Sequence, residues 1–129
     1  MSNPIHQEII FTASPKKVYE ALLDAQQFSQ MSGGAPAEIE SKAGGAFSCF
    51  GGMITGRIVE LRENLRIVQA WRAGNWPEGV YSIVRFELAP AGTGTRLTFS
   101  HDGFPDATRE HLEGGWHKMY WEPLKKLLG

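Results

Sequence analysis

The sequence predicts an α+β fold in which a curved antiparallel sheet of seven strands wraps one long C-terminal helix. Two observations carry most of that expectation. Residues 106–128 place apolar side chains at Leu112, Trp116, Met119, Tyr120, Pro123, Leu124 and Leu127, the i, i+3, i+4, i+7 spacing of one helical face. Turn signals then recur at short intervals from residue 36 to residue 102, which reads as a meander of strands. A helix of that length spans ~34 Å at ~1.5 Å per residue. Following a run of antiparallel strands, it has to lay its stripe across their sheet, and the space between is either core or pocket.

In chain order, residues 5–12 are rich in β-branched residues and form a first strand. Ser14 followed by Pro15 is an N-cap hydroxyl with proline at the first helical position, and Val18, Ala21 and Leu22 continue at helical spacing. Asp24 with Gln27 resembles a capping box, so a second short helix restarts there and buries Phe28 and Met31. Residues 32–36 break it. Six strands follow, at residues 37–41, 46–50, 53–62, 65–73, 80–89 and 95–102, separated by Gly44-Gly45, Gly51-Gly52, Glu63-Asn64, residues 74–79 and residues 90–94. Short connectors of this kind join antiparallel neighbours rather than βαβ units.

Alternation assigns the inward face. Ile67, Gln69 and Trp71 oppose Arg66, Val68, Ala70 and Arg72; Val84, Phe86 and Leu88 oppose Arg85 and Glu87; Leu97, Phe99 and His101 oppose Arg96, Thr98 and Ser100. The charged sets belong in water, so the first set of each strand lines the face under the helix. Residues 53–62 are ambiguous, because Ile54/Ile58 and Val59/Leu61 both look buried.

Length and composition fit one domain over residues 1–129, with 42% hydrophobic and 21% charged residues. A formal net charge of −1 gives no electrostatic ground for expecting nucleic acid or an anionic membrane as partner. No run approaches the ~20 apolar residues of a membrane span, and residues 1–10 show no basic segment followed by an apolar run. Cys49 is the single cysteine, which excludes an internal disulfide and fits a reducing, cytoplasmic setting.

Local sequence adds a resemblance. Ala35-Pro36-Ala37 with Gly44-Gly45, Trp71 through Trp76-Pro77-Glu78-Gly79, and Gly103-Phe104-Pro105 leading to Gly115-Trp116 and Tyr120 are similar to the C-terminal domain of the activator of the ninety-kilodalton heat-shock chaperone's ATPase. The likeness runs over nearly the whole chain. It implies the helix-grip fold of the START/Bet v I-like (SRPBCC) superfamily, whose members often hold lipids, hormones or aromatic products between sheet and helix. It also implies a heat-shock chaperone as a partner. The eukaryotic activator carries a further N-terminal domain, for which these 129 residues have no room. Pro123, inside the last helix, removes one backbone donor and should kink its final turns.

The expected function is a non-catalytic binding module for a small apolar molecule; the alternative is a chaperone-regulatory module, and an enzyme of cyclase-like or hydrolytic type comes third. Gln69, Trp71, Phe86, Phe99, His101, Trp116 and Tyr120 are the pocket candidates, set against the plain-core reading that aromatic stripes usually have. His101 is either an acid–base group or a hydrogen-bonded structural histidine. Trp76, Pro77 and Glu78 are partner-contact candidates, with Trp76 either an exposed anchor or folded back over the end of the sheet. No cofactor or metal is expected. There is no Cys/His cluster or HExxH, the glycine-rich turns lack the lysine and hydroxyl of a phosphate loop, and His111 and His117 project ~240° apart on a helix. Cys49 reads as a buried, inert thiol, and Glu60 with Glu87 as a carboxylate pair fails because Glu87 alternates with the exposed set.

Overall fold

The computed structural model describes residues 4–129; residues 1–3, the start of the segment read for a leader, lie outside it. The expected architecture is present. Strand β1 (Ile5–Phe11) leads to helices α1 (Pro15–Leu23) and α2 (Ala25–Met31), and then to β2 (Glu38–Ile39), β3 (Ala46–Cys49), β4 (Ile54–Arg62), β5 (Arg66–Ala73), β6 (Ser82–Ala91) and β7 (Gly94–Asp102). The seven strands form one antiparallel sheet in the order β1-β7-β6-β5-β4-β3-β2. The chain therefore crosses from one sheet edge to the other through α1 and α2. Both helices start as expected: Ser14 Oγ accepts from the Lys17 amide, and an Asp24 carboxylate oxygen accepts from the Gln27 amide.

Two turns differ from expectation. Pro90 lies inside β6, opposite Thr95, so the β6–β7 hairpin turns more tightly, with Gly92 in the left-handed region at φ 64°. Phe50 leaves β3 for a short 3-10 turn (Phe50–Gly52) and itself takes φ 54°. Its ring rests edge-on against Phe28 and Tyr120, at 5.4 and 5.5 Å.

The ambiguity in β4 resolves as a β-bulge. Register passes from Ile58↔Gln69 directly to Glu60↔Val68, leaving Val59 as the extra, exposed residue. Before the bulge Ile54 and Ile58 face inward; after it the parity flips and Leu61 faces inward opposite Ile67. Gly56 permits the curvature at this point, since a Cβ there would sit 1.9 Å from the Ala70 carbonyl oxygen and 2.8 Å from the Phe47 ring.

The C-terminal helix comprises α3 (Arg109–Trp116), one wider π turn (His117–Trp121) and α4 (Glu122–Leu128). In the π turn the Glu122 amide donates to the His117 carbonyl, five residues back. That turn lies directly before Pro123, whose missing N–H makes a regular ladder impossible there. It also corrects the expected stripe. Tyr120 and Trp121 both point into the core, Trp121 being 1% exposed, whereas Met119 is rotated out to 45%. No helix among the described residues is long and apolar enough to cross a membrane.

Candidate functional site

The inward face of the sheet is built of rows that cross it strand by strand. One row runs Leu61, Ile67, Phe86, Phe99, Gln7; a second runs Ile58, Gln69, Val84, His101, Ile5; a third begins Gly56, Trp71, Ser82. Over these rows lie Trp116, Tyr120 and Trp121 from the helix. The Trp116 ring sits 4.3 Å from Phe99 and 5.3 Å from Trp71, and Trp121 lies 5.2 Å from Phe99. Burying an indole of 150–250 Å² at ~25 cal/mol/Å² is worth roughly 4–6 kcal/mol, against about 0–1 for an exposed ion pair, so this aromatic seam dominates the attachment of helix to sheet.

Each of the three indoles in the seam donates its N–H to a buried acceptor. Trp71 donates to Tyr120 Oη at 3.4 Å, Trp116 to His101 Nδ1 at 3.1 Å, and Trp121 to Gln7 Oε1 at 2.7 Å. The Gln7 amide nitrogen donates in turn to the Glu113 carbonyl at 3.0 Å. Gln7 and Trp121 thus form a tie between the first strand and the last helix that the sequence reading did not identify. Gln7 shares the parity of Ile5, Ile9 and Phe11, which marked it as inward; Trp121 carried no such mark, because only the π turn brings it round.

His101 is fully buried, and its tautomer follows from its partners. Nδ1 accepts from Trp116, so Nε2 carries the proton and donates to Ser82 Oγ at 2.7 Å; Ser82 then donates to the Trp71 carbonyl at 3.0 Å. Burial holds its pKa down to about 3. Both nitrogens are occupied and the ring is neutral at ordinary pH, which is the arrangement of a structural histidine. Burial likewise pushes the Cys49 thiol up to about 12 and raises the Tyr120 phenol, keeping both neutral.

The pocket candidates Gln69, Trp71, Phe86, Phe99, His101, Trp116 and Tyr120 are all buried, and the rings among them pack together directly. Gln69, Phe86 and Tyr120 also border a space of about 10 Å³, walled on its other sides by Leu22, Phe28, Ile39, Phe47 and Cys49. Trp76 takes the folded-back arrangement, 6% exposed and edge-on to Trp71 at 5.6 Å, so its ring is not an exposed anchor. Pro77 and Glu78 beside it are exposed. Arg72 secures this turn, donating to the Trp76 carbonyl at 2.9 Å and lying over the Tyr81 ring at 5.8 Å. Met53 and Tyr81, 69% and 52% exposed, add apolar surface at the same end of the sheet. On the outer face Arg66 lies between Glu60 and Glu87, at 3.2 and 4.0 Å. His111 and His117 both face water, and among the described residues no three His, Cys, Asp or Glu side chains converge on a metal-sized site.

The family model described as "Activator of Hsp90 ATPase homolog 1-like protein" matches residues 12–129. The activator of 90 kDa heat shock protein ATPase homolog 2 of Mus musculus is 32% identical over 124 residues, covering 96% of this chain and 37% of that protein. Homolog 1 of Homo sapiens is 29% identical, with 92% and 35% covered. The chain therefore spans about a third of the length of these relatives. A crystal structure of an HSP90 activator from Plasmodium falciparum superposes with a TM-score of 0.92 at 27% identity, covering 98% of this chain and 96% of that one.

Proposed function

This chain belongs to the Activator of Hsp90 ATPase homolog 1-like family, and from that membership we propose that it is a regulatory interaction module for an Hsp90-type chaperone. The observation that carries the proposal is the match over residues 12–129, supported by near-complete superposition on a structure described as an HSP90 activator. The proposed contact surface is the end of the sheet that presents Pro77, Glu78, Tyr81 and Met53, with buried Trp76 and Arg72 holding the turn in shape. An exposed aromatic and an exposed methionine beside a pinned turn suit a protein partner, for which large apolar side chains supply anchors at low ordering cost.

The test is the ATPase turnover of the host organism's own Hsp90-type chaperone, with and without the purified protein, alongside direct binding by calorimetry. Turnover should rise with added protein, and Tyr81→Ser combined with Met53→Ser should weaken binding at least ~10-fold if both are anchors worth ~1 kcal/mol or more. Absence of both binding and a change in turnover sinks the proposal. Binding that ignores the double substitution moves the contact surface elsewhere.

A small apolar molecule held between sheet and helix is not favoured as a second reading, given the direct packing of Trp71, Phe99 and Trp116 and the 10 Å³ beside Gln69. Nor is catalysis at His101, whose two nitrogens are engaged with Trp116 and Ser82.

A further inference from the structure

The row Ile58, Gln69, Val84, His101 is apolar except at its glutamine and its histidine. His101 has a partner at each nitrogen. Gln69 does not: it is more than nine-tenths buried, and no protein group among the described residues hydrogen-bonds its amide. A primary amide brings two donors and an acceptor, and since no enclosed side-chain nitrogen or oxygen among the described residues lacks a partner, the Gln69 amide is within reach of water.

Gln69 lines the 10 Å³ space, whose other walls include Leu22, Phe47, Cys49, Phe86 and Tyr120. Tyr120 Oη accepts from Trp71, which leaves its own hydroxyl proton to donate. Two polar groups from different elements, β5 and the π turn, therefore meet at one space inside an apolar surround. About 10 Å³ is one probe sphere, the room a single water needs, and a buried water requires two or more polar partners. An apolar guest would need more volume and would leave the amide and hydroxyl unpaired.

We infer that this space is a binding site for one water molecule, which accepts from the Tyr120 hydroxyl and bonds to the Gln69 amide. The water joins sheet to helix beside the Gln7–Trp121 and His101–Trp116 ties. It explains why a glutamine occupies a position flanked across the sheet by Ile58 and Val84.

The test combines a high-resolution crystal structure with magnetic relaxation dispersion of solvent oxygen-17, which counts long-lived internal waters. The wild-type protein should show one ordered water within hydrogen-bond distance of the Gln69 amide and the Tyr120 hydroxyl. Gln69→Met should lose it and lower the long-lived count by one. Tyr120→Phe, which keeps the ring packing, should shorten its residence time at least several-fold and provides the readout if Gln69→Met fails to fold. A dry space in the wild type, an organic molecule there, or a water indifferent to both substitutions overturns the inference.

Discussion

His101 is the residue at which burial and hydrogen bonding have the clearest consequence in solution. The unfolded chain takes up a proton at the ordinary histidine value near 6.5, whereas the folded chain does so only near 3. The unfolded state binds more protons between those values, so stability is complete above that window and falls as pH drops through it. From pH 7 to pH 5 the loss attributable to this one group is about 2 kcal/mol. His101→Gln should remove that part of the pH dependence, checked by urea midpoints of both proteins at the two pH values; an unchanged slope would mean that another group titrates. The inward placement of His101 was legible from its parity with Leu97 and Phe99. Its partners were not, since Trp116 and Ser82 lie 15 and 19 residues away and meet it only after sheet pairing and helix docking.

Among the elements, the π turn shows where periodicity stops being informative. Helical spacing places Leu112, Trp116, Tyr120 and Leu124 inward, and all four are buried. It also places Met119 inward and gives no reason to bury Trp121, because a 3.6-residue period assumes regular turns. One wide turn adds a residue between Trp116 and the pair Tyr120–Trp121. Removing one exposed residue there should convert it to a regular turn, with the tyrosine and second tryptophan still on the inward side at i+3 and i+4 from Trp116. Deletion of Met119 is therefore expected to leave a folded protein destabilised by no more than about 2 kcal/mol, with the hydrogen-bonded Trp121 indole proton still resolved by NMR. Loss of cooperative unfolding in that variant would show that the wide turn itself, and not only its register, is required. The β4 bulge is the parallel case in the sheet: two conflicting apolar parities were visible, and a single extra residue at Val59 satisfies both.

For the whole molecule, the layers and strand order follow from the turn spacing and the terminal amphipathic helix. Whether the seam would be pocket or core did not, since one set of aromatic residues can do either. In the structure the rings of that set pack directly against one another. An apolar fluorescent dye should accordingly show no enhancement with the native protein at neutral pH, and should respond only as urea opens the sheet–helix seam; strong binding to the native state would reveal an opening motion of the helix. Tyr81 and Met53, in contrast, carry their apolar surface outward at one sheet end, where no seam competes for it.

All four tryptophans of the chain form a relay of neighbours, Trp76 to Trp71 to Trp116 to Trp121, with successive ring centres 5.6, 5.3 and 5.8 Å apart. At such separations the indoles do not act as independent chromophores: their transitions couple, and excitation is shared along the row. Intrinsic fluorescence and near-ultraviolet circular dichroism therefore report a single event, the parting of helix from sheet, without any label. The outermost ring of that optical chain belongs to the turn that bears Pro77 and Glu78, so a partner docking there would register in the emission of the buried seam.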